Sequence, residues 1–165
     1  MARIALLSDS HDNLPALRTA LMQVNAAGAT TLLHMGDLSA PFVVKELGTA
    51  FPGPIHIVFG NNDADGRLIQ VNASAFPNIT LHGVYAEIEV ASKHIAMIHY
   101  PEPALRIAQS GALDLVAYGH NHTRKIERIG TTWLVNPGEL LGLMGDKSWA
   151  LYDTEANTLE FVAVA

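Results

Sequence analysis

Residues 3–11 read Arg-Ile-Ala-Leu-Leu-Ser-Asp-Ser-His, an unbroken apolar run that ends at once in a carboxylate and an imidazole two positions apart. A short continuous apolar run closed by polar turn residues reads as a strand. The crossover that such a strand needs follows directly. From Asn13 onward Leu14, Leu17, Leu21 and Val24 recur at helical spacing, with Asn13 as N-cap, Pro15 in the first turn and Gly28 as the stop. A strand over 31–34, a helix near 42–47 and a strand over 55–59 repeat the unit, so the first part of the chain predicts a right-handed parallel β-α-β-α-β half.

The strand-then-polar arrangement recurs down the chain. Gly36-Asp37 follows the run at 31–33, Gly60-Asn61-Asn62-Asp63 the run at 55–59, His99 the run at 95–98, and Gly119-His120-Asn121-His122 the run at 115–118. Side chains at successive strand ends converge on one edge of a sheet. Taken singly, an Asp-x-His or a Gly-Asp at a strand end is ordinary turn chemistry. Taken together, Asp9, His11, Asp37, Asn61, His99, His120 and His122 make an oxygen and nitrogen donor set without sulfur, which suits a borderline divalent metal ion. Seven donors are too many for one ion, whereas two ions sharing one carboxylate would use them all.

The order D-x-H, G-D, G-N-x-D, H, G-H-x-H, running from about Arg3 to Asn136, resembles the calcineurin-like metallophosphoesterases. It is most similar to their small bacterial and archaeal phosphodiesterase branch, which also includes the retromer subunit of the Vps29 type. The resemblance implies an α/β fold, the four-layer α-β-β-α sandwich in which two mixed sheets lie face to face with helices outside. It implies that Asp9, His11, Asp37 and His122 hold one ion and that Asp37, Asn61, His99 and His120 hold the other, with Asp37 as the bridge. Two divalent ions are expected, manganese first, with nickel, iron, zinc or magnesium as alternatives. The implied reaction is hydrolysis of phosphate esters, diesters ahead of monoesters, by direct attack of a metal-bridging hydroxide.

On that reading Ser8 and Ser10 are turn residues rather than nucleophiles, and the candidate catalytic residues beside the ligands are Asn62 and Asp63. Asn62 stands where many family members carry the histidine of G-N-H-D, and its amide cannot deliver a proton to a leaving group. Asp63 and Asp12 are expected to orient imidazoles, as metal-bound histidines usually require. Where family members read His-Gly this chain reads His99-Tyr100-Pro101, which leaves Tyr100 to narrow the cleft, stack on a base or serve as a core or rim aromatic. The competing reading is a non-catalytic Vps29-like protein-interaction scaffold, and the intact ligand set argues against it.

Composition sets the frame. With 165 residues, 49% of them hydrophobic, and no linker-like stretch, the chain is expected to form a single domain over 1–165. It contains no cysteine, and its first residues run straight into a strand, so a cytoplasmic protein without disulfides is expected. The net charge of −6 with no cluster of Lys and Arg argues against an extended nucleic-acid surface and against a membrane partner, and favours a small phosphoester. The positive charge of bound ions can reverse the local sign at the site.

Beyond residue 79 the texture changes. Residues 84–90 alternate as a half-buried strand, 94–99 read as its hairpin partner, a short helix is expected around 102–109, and 113–118 is a further strand. The segments 125–129, 131–135, 149–153 and 158–164 read as antiparallel strands. His34 is expected to brace its loop, and His56, His82 and His94 lie outside every ligand block. Arg67 and Arg124 are the cations nearest the blocks. The run Leu140-Leu141-Gly142-Leu143-Met144-Gly145 is unusually apolar for a loop and suits a core cap, a substrate mouth or a homo-oligomer contact.

Overall fold

The apolar runs become strands that feed two hydrophobic layers at once, because successive side chains point to opposite faces and both faces are covered. In the computed structural model, which describes residues 2–165, the order is β1 (Arg3–Leu7), α1 (Leu14–Ala26), β2 (Thr31–His34), α2 (Phe42–Ala50), β3 (Ile55–Ile57), α3 (Gly66–Ala73) and β4 (Ile79–Leu81). There follow β5 (Tyr85–Val90), β6 (Lys93–Ile98), α4 (Pro101–Gln109), β7 (Leu115–Ala117), β8 (Lys125–Ile129), β9 (Thr132–Asn136), β10 (Ser148–Asp153) and β11 (Thr158–Ala163). One sheet has the order β11-β10-β1-β2-β3-β4 and the other β5-β6-β7-β9-β8.

Alternation along the central strands shows why the result has four layers. Ile4 and Leu6 of β1, Leu33 of β2, and Ala150 and Tyr152 of β10 meet Ile95, Met97, Leu115 and Ala117 of the other sheet in a core between the sheets. Ala5, Leu7, Leu32, Trp149 and Leu151 point the other way, into a core roofed by α1, α2 and α3. Ala96, Val116 and Leu134 pack outward against α4. Truncating a fully buried Leu such as Leu6 or Leu33 to Ala would cost about 2–5 kcal/mol.

The expected parallel half forms and extends one strand further, since β1, β2, β3 and β4 are all parallel neighbours. Asn13 caps α1, its side chain accepting from Ala16 N. Two elements were not foreseen, α3 and β4; only Ile69 and Ala73 of α3 are buried, so it carries no long apolar stripe. The late strands are not uniformly antiparallel: β9 pairs parallel with β7 and antiparallel with β8. Among the described residues no helix is long and apolar enough to cross a membrane.

Candidate metal centre

The polar blocks sit just beyond the carboxyl ends of β1, β2 and β3 in one sheet and of β6 and β7 in the other, so the site straddles both sheets at one edge. Sharp turns aim the side chains. Asp9, His11, Asp37, His120 and His122 all have φ between 40° and 74°, a left-handed conformation that reverses the chain within a residue or two. This breaks the regular strand after β7, which is what lets His120 and His122 address different sides of the site. The glycines that open the blocks allow close approach. A Cβ on Gly60 would lie 2.7 Å from Asp37 N and 2.8 Å from His99 Cε1, and one on Gly119 would lie 2.6 Å from Asp9 Oδ2.

The seven side chains named from sequence come together in two groups. In the first, His11 Nε2 lies 3.3 Å from Asp37 Oδ2 and 3.8 Å from Asp9 Oδ1, and His122 Nε2 lies 3.4 Å from Asp9 Oδ1. In the second, His99 Nε2 lies 3.5 Å from Asp37 Oδ1 and 3.1 Å from Asn61 Oδ1, and His120 Nδ1 lies 2.9 Å from Asn61 Oδ1 and 3.3 Å from His99 Nε2. Asp37 therefore turns one oxygen to each group. Asp9 reaches further than expected, since its carboxylate is close enough to share an ion with His11 and His122 or with Asp37 and His99.

The donors fit a cation. His11 Nε2 is buried and, among the described residues, has no hydrogen-bond partner, although it faces two carboxylates. His99 Nδ1–H donates to Met35 O at 2.7 Å, which leaves the Nε2 lone pair turned inward. His11 Nδ1 is held at 3.2 Å from Ser39 Oγ. The electrostatics agree. The facing carboxylates of Asp9 and Asp37 raise the His11 pKa against burial. Burial pushes His99 down, but Asp37 and the Met35 carbonyl outweigh it and the net shift is upward. Burial likewise pushes Asp37 up, yet His99 and Asn62 hold its carboxyl well below the usual carboxylate range. The negative field that holds protons on His11 and His99 would also attract a dication, which has to displace those protons to bind.

Two expected roles are corrected. Among the described hydrogen bonds none joins Asp63 or Asp12 to an imidazole. Asp63 Oδ1 accepts from Leu38 N and Ser39 N and its Oδ2 from Asp37 N and Gly60 N, so it clamps the β2 loop to the β3 loop; Asp12 Oδ1 accepts from Ala40 N. The reason is local: a carboxylate beside turns rich in unpaired N–H groups finds those donors first. Asn62 is exposed, yet its amide is committed to Asp37. Its N and Nδ2 donate to the two oxygens of Asp37, each at 2.8 Å.

Some neighbours were foreseen and some were not. His34 braces its loop, accepting from Gly36 N at Nδ1 with Nε2 3.2 Å from Ser10 Oγ; burial pushes its pKa down to about 4. Asn136 Nδ2 donates to Gly119 O and Asn121 Oδ1, pinning the loop that carries His120 and His122. Glu139 was missed: it is fully buried, and its Oε2 accepts from His122 Nδ1–H at 2.7 Å. The signal was present, because a carboxylate between Asn-Pro-Gly and an apolar run needs a buried partner. Burial alone would raise Glu139, but His122 and the amides of the following loop draw it below the usual range. Tyr100 stands at the rim, its ring 5.0 Å from that of His120. On the far side a cavity of about 320 Å³ is lined by His122, Thr123, Arg124, Met144, Gly145 and Asp146. Within the apolar run Leu140 is core, whereas Leu143 and Met144 are 74% and 72% exposed beside this cavity.

The model of the calcineurin-like phosphoesterase superfamily domain matches residues 2–157. The chain is 30% identical over 156 residues to Phosphodiesterase MJ0936 of Methanocaldococcus jannaschii, covering 93% of each chain. Its structure is similar to that of a novel archaeal phosphodiesterase, with a TM-score of 0.90 and 28% identity over 98% of this chain and 99% of that one. It also shares its fold with wild-type Vps29 of Entamoeba histolytica complexed with zinc, with a TM-score of 0.67 and 17% identity over 99% of each.

Proposed function

Since this chain belongs to the calcineurin-like phosphoesterase superfamily, we propose that it is a metal-dependent phosphodiesterase working with two divalent ions, manganese first among them. The observation that carries the reading is the disposition of Asp37, which offers Oδ2 to the His11 side and Oδ1 to the His99 side. Asp9, His11 and His122 with Asp37 would hold one ion, and Asn61, His99 and His120 with Asp37 the other. When bound, the ions supply positive charge for the phosphoryl oxygens and a water acidic enough to ionise near neutrality. The chain does the rest by placement. The Met35 carbonyl fixes the tautomer of His99, and Asn62 holds Asp37 square between the two groups.

Water then attacks phosphorus directly, in line with the departing ester oxygen, and no protein nucleophile is used. Ser10 is engaged with His34, whereas the buried Ser8 Oγ has no hydrogen-bond partner among the described residues. A diester needs room on both sides of the phosphorus. Tyr100 flanks His120 on one side and the cavity beside His122 opens on the other, which supports a diester with a planar group against Tyr100. Met144 lines that cavity, which supports the exposed end of the apolar run as part of the substrate mouth.

The test is turnover of an activated bis-aryl phosphodiester by metal-stripped protein supplied with Mn²⁺, Ni²⁺, Zn²⁺ or Mg²⁺. Cleavage should appear with manganese, stop with chelator and return with added ion. With Asn62 in place of a proton donor, the rate should depend steeply on leaving-group pKa, since a positioned acid is worth about 10²–10⁴-fold. Protein that binds two ions and cleaves nothing across the panel would refute the enzyme reading in favour of a Vps29-like scaffold.

A further inference from the structure

Glu139 is the buried ionisable group closest to the centre that the reading above does not use. Both of its oxygens are committed. Oε2 accepts from His122 Nδ1–H at 2.7 Å, while Oε1 accepts from Met144 N at 2.6 Å and Gly145 N at 2.7 Å. The residues after it lace onto the other ligand of the same group: Leu141 N donates to Asp9 O at 3.0 Å, Leu140 N to the same carbonyl at 3.2 Å, and Asn13 Nδ2 ties down the carbonyls of Leu140 and Leu141. Among the described hydrogen bonds, segment 139–141 therefore bonds directly to His122 and Asp9 and to none of Asn61, His99 and His120.

We propose that Glu139 is a positioning residue: it fixes His122 with Nδ1 protonated and Nε2 turned to the ion, and it joins that imidazole to the 143–145 loop at the cleft mouth as one hydrogen-bonded unit. The inference rests on the metal-dependent reading for its purpose, but its geometry is independent of turnover. A carboxylate is required because three donors converge on it. A glutamine can offer its oxygen to His122 or to the two loop amides, and in either case its NH₂ group faces a donor. An aspartate is one methylene short of spanning both. The loop side gives the device a second consequence. Leu143 and Met144 are exposed beside the cavity next to His122, so a substrate group that shifts the loop moves an acceptor of the imidazole it must reach.

The experiment pairs Mn²⁺ binding isotherms with ¹⁵N spectra of the histidine rings in the metal-free protein, for the parent and Glu139→Gln, each checked for native circular dichroism. In the parent His122 should be the Nδ1–H tautomer. In Glu139→Gln the oxygen should keep the two loop amides rather than the single His122 bond, turning the NH₂ to Nδ1. That signature should therefore be lost, one equivalent of manganese should bind as in the parent, and the other should weaken by about 10–100-fold, the usual effect of removing the acceptor behind a histidine ligand. An unchanged tautomer with two unchanged affinities would overturn the proposal. So would equal weakening of both equivalents, which marks a general structural role. If Glu139→Gln does not fold, the parent spectrum decides, and an Nε2–H tautomer for His122 overturns the assignment. A parent that binds two ions without turnover refutes the phosphodiesterase reading and leaves the spectra and isotherms to judge Glu139.

Discussion

Replacing Asp63 with Asn separates a structural carboxylate from a chemical one at a position where the two are easily confused. Oδ1 of Asp63 accepts from Leu38 N at 2.7 Å and Ser39 N at 3.1 Å, and Oδ2 from Asp37 N at 3.1 Å and Gly60 N at 2.7 Å. An amide can keep two of these bonds. Its NH₂ then confronts the other two donors, so two hydrogen bonds to a charged acceptor are lost, each worth about 1.5–3 kcal/mol. Asp63 is half-buried, and water can reclaim part of the loss, which leaves a destabilisation of about 2–4 kcal/mol. For a chain of this size that is a fall in Tm of roughly 10 °C. Thermal unfolding followed by circular dichroism measures it, alongside kcat well below the new Tm. A variant with an unchanged Tm and a collapsed kcat would refute the clamp and return Asp63 to the chemistry.

Asp37→Asn should remove manganese from both equivalents and abolish turnover while the circular dichroism spectrum stays native, because a neutral amide serves two cations poorly; two tightly bound ions with a near-parental rate would refute the bridge. The fold should also weaken in mild acid through His34. Burial lowers its folded pKa to about 4 from the ordinary imidazole value of 6.5, so the unfolded chain binds more protons between those values. The stability it contributes is present above pH 6.5 and is lost as pH falls through about 4. Urea unfolding across that window should give a shallower pH slope for His34→Gln than for the parent, and equal slopes would refute the assignment.

What could be read from the sequence was what local pattern encodes. The run at Ile4, Ala5, Leu6 and Leu7 is apolar at every position because it serves two cores, and the helix after Asn13 shows its stripe, cap and stop within a few residues. The ligand blocks were legible because a donor set at strand ends needs no long-range information. Long-range pairing was another matter. The parallel contact of β9 with β7 is made across the whole β8 hairpin, and α3 buries only Ile69 and Ala73, too little to mark a face. The role of Asp63 was misread for a related reason. Spacing shows that a carboxylate lies near imidazoles, but not which donors reach it first, and four main-chain amides reached it first.

Five of the seven candidate ligands, Asp9, His11, Asp37, His120 and His122, occupy backbone that glycine would adopt more readily. Left-handed conformation costs a side-chain-bearing residue roughly 1–2 kcal/mol, somewhat less for Asp, so together they set on the order of 5 kcal/mol against folding. That is comparable with the whole net stability of an ordinary domain. The centre is thus a region where the demands of the ion and those of the bare polypeptide are opposed. Glycine at any of these turns would ease the backbone and delete a donor, so selection for stability alone would erode the centre one ligand at a time, and a hardier protein would be a poorer holder of metal.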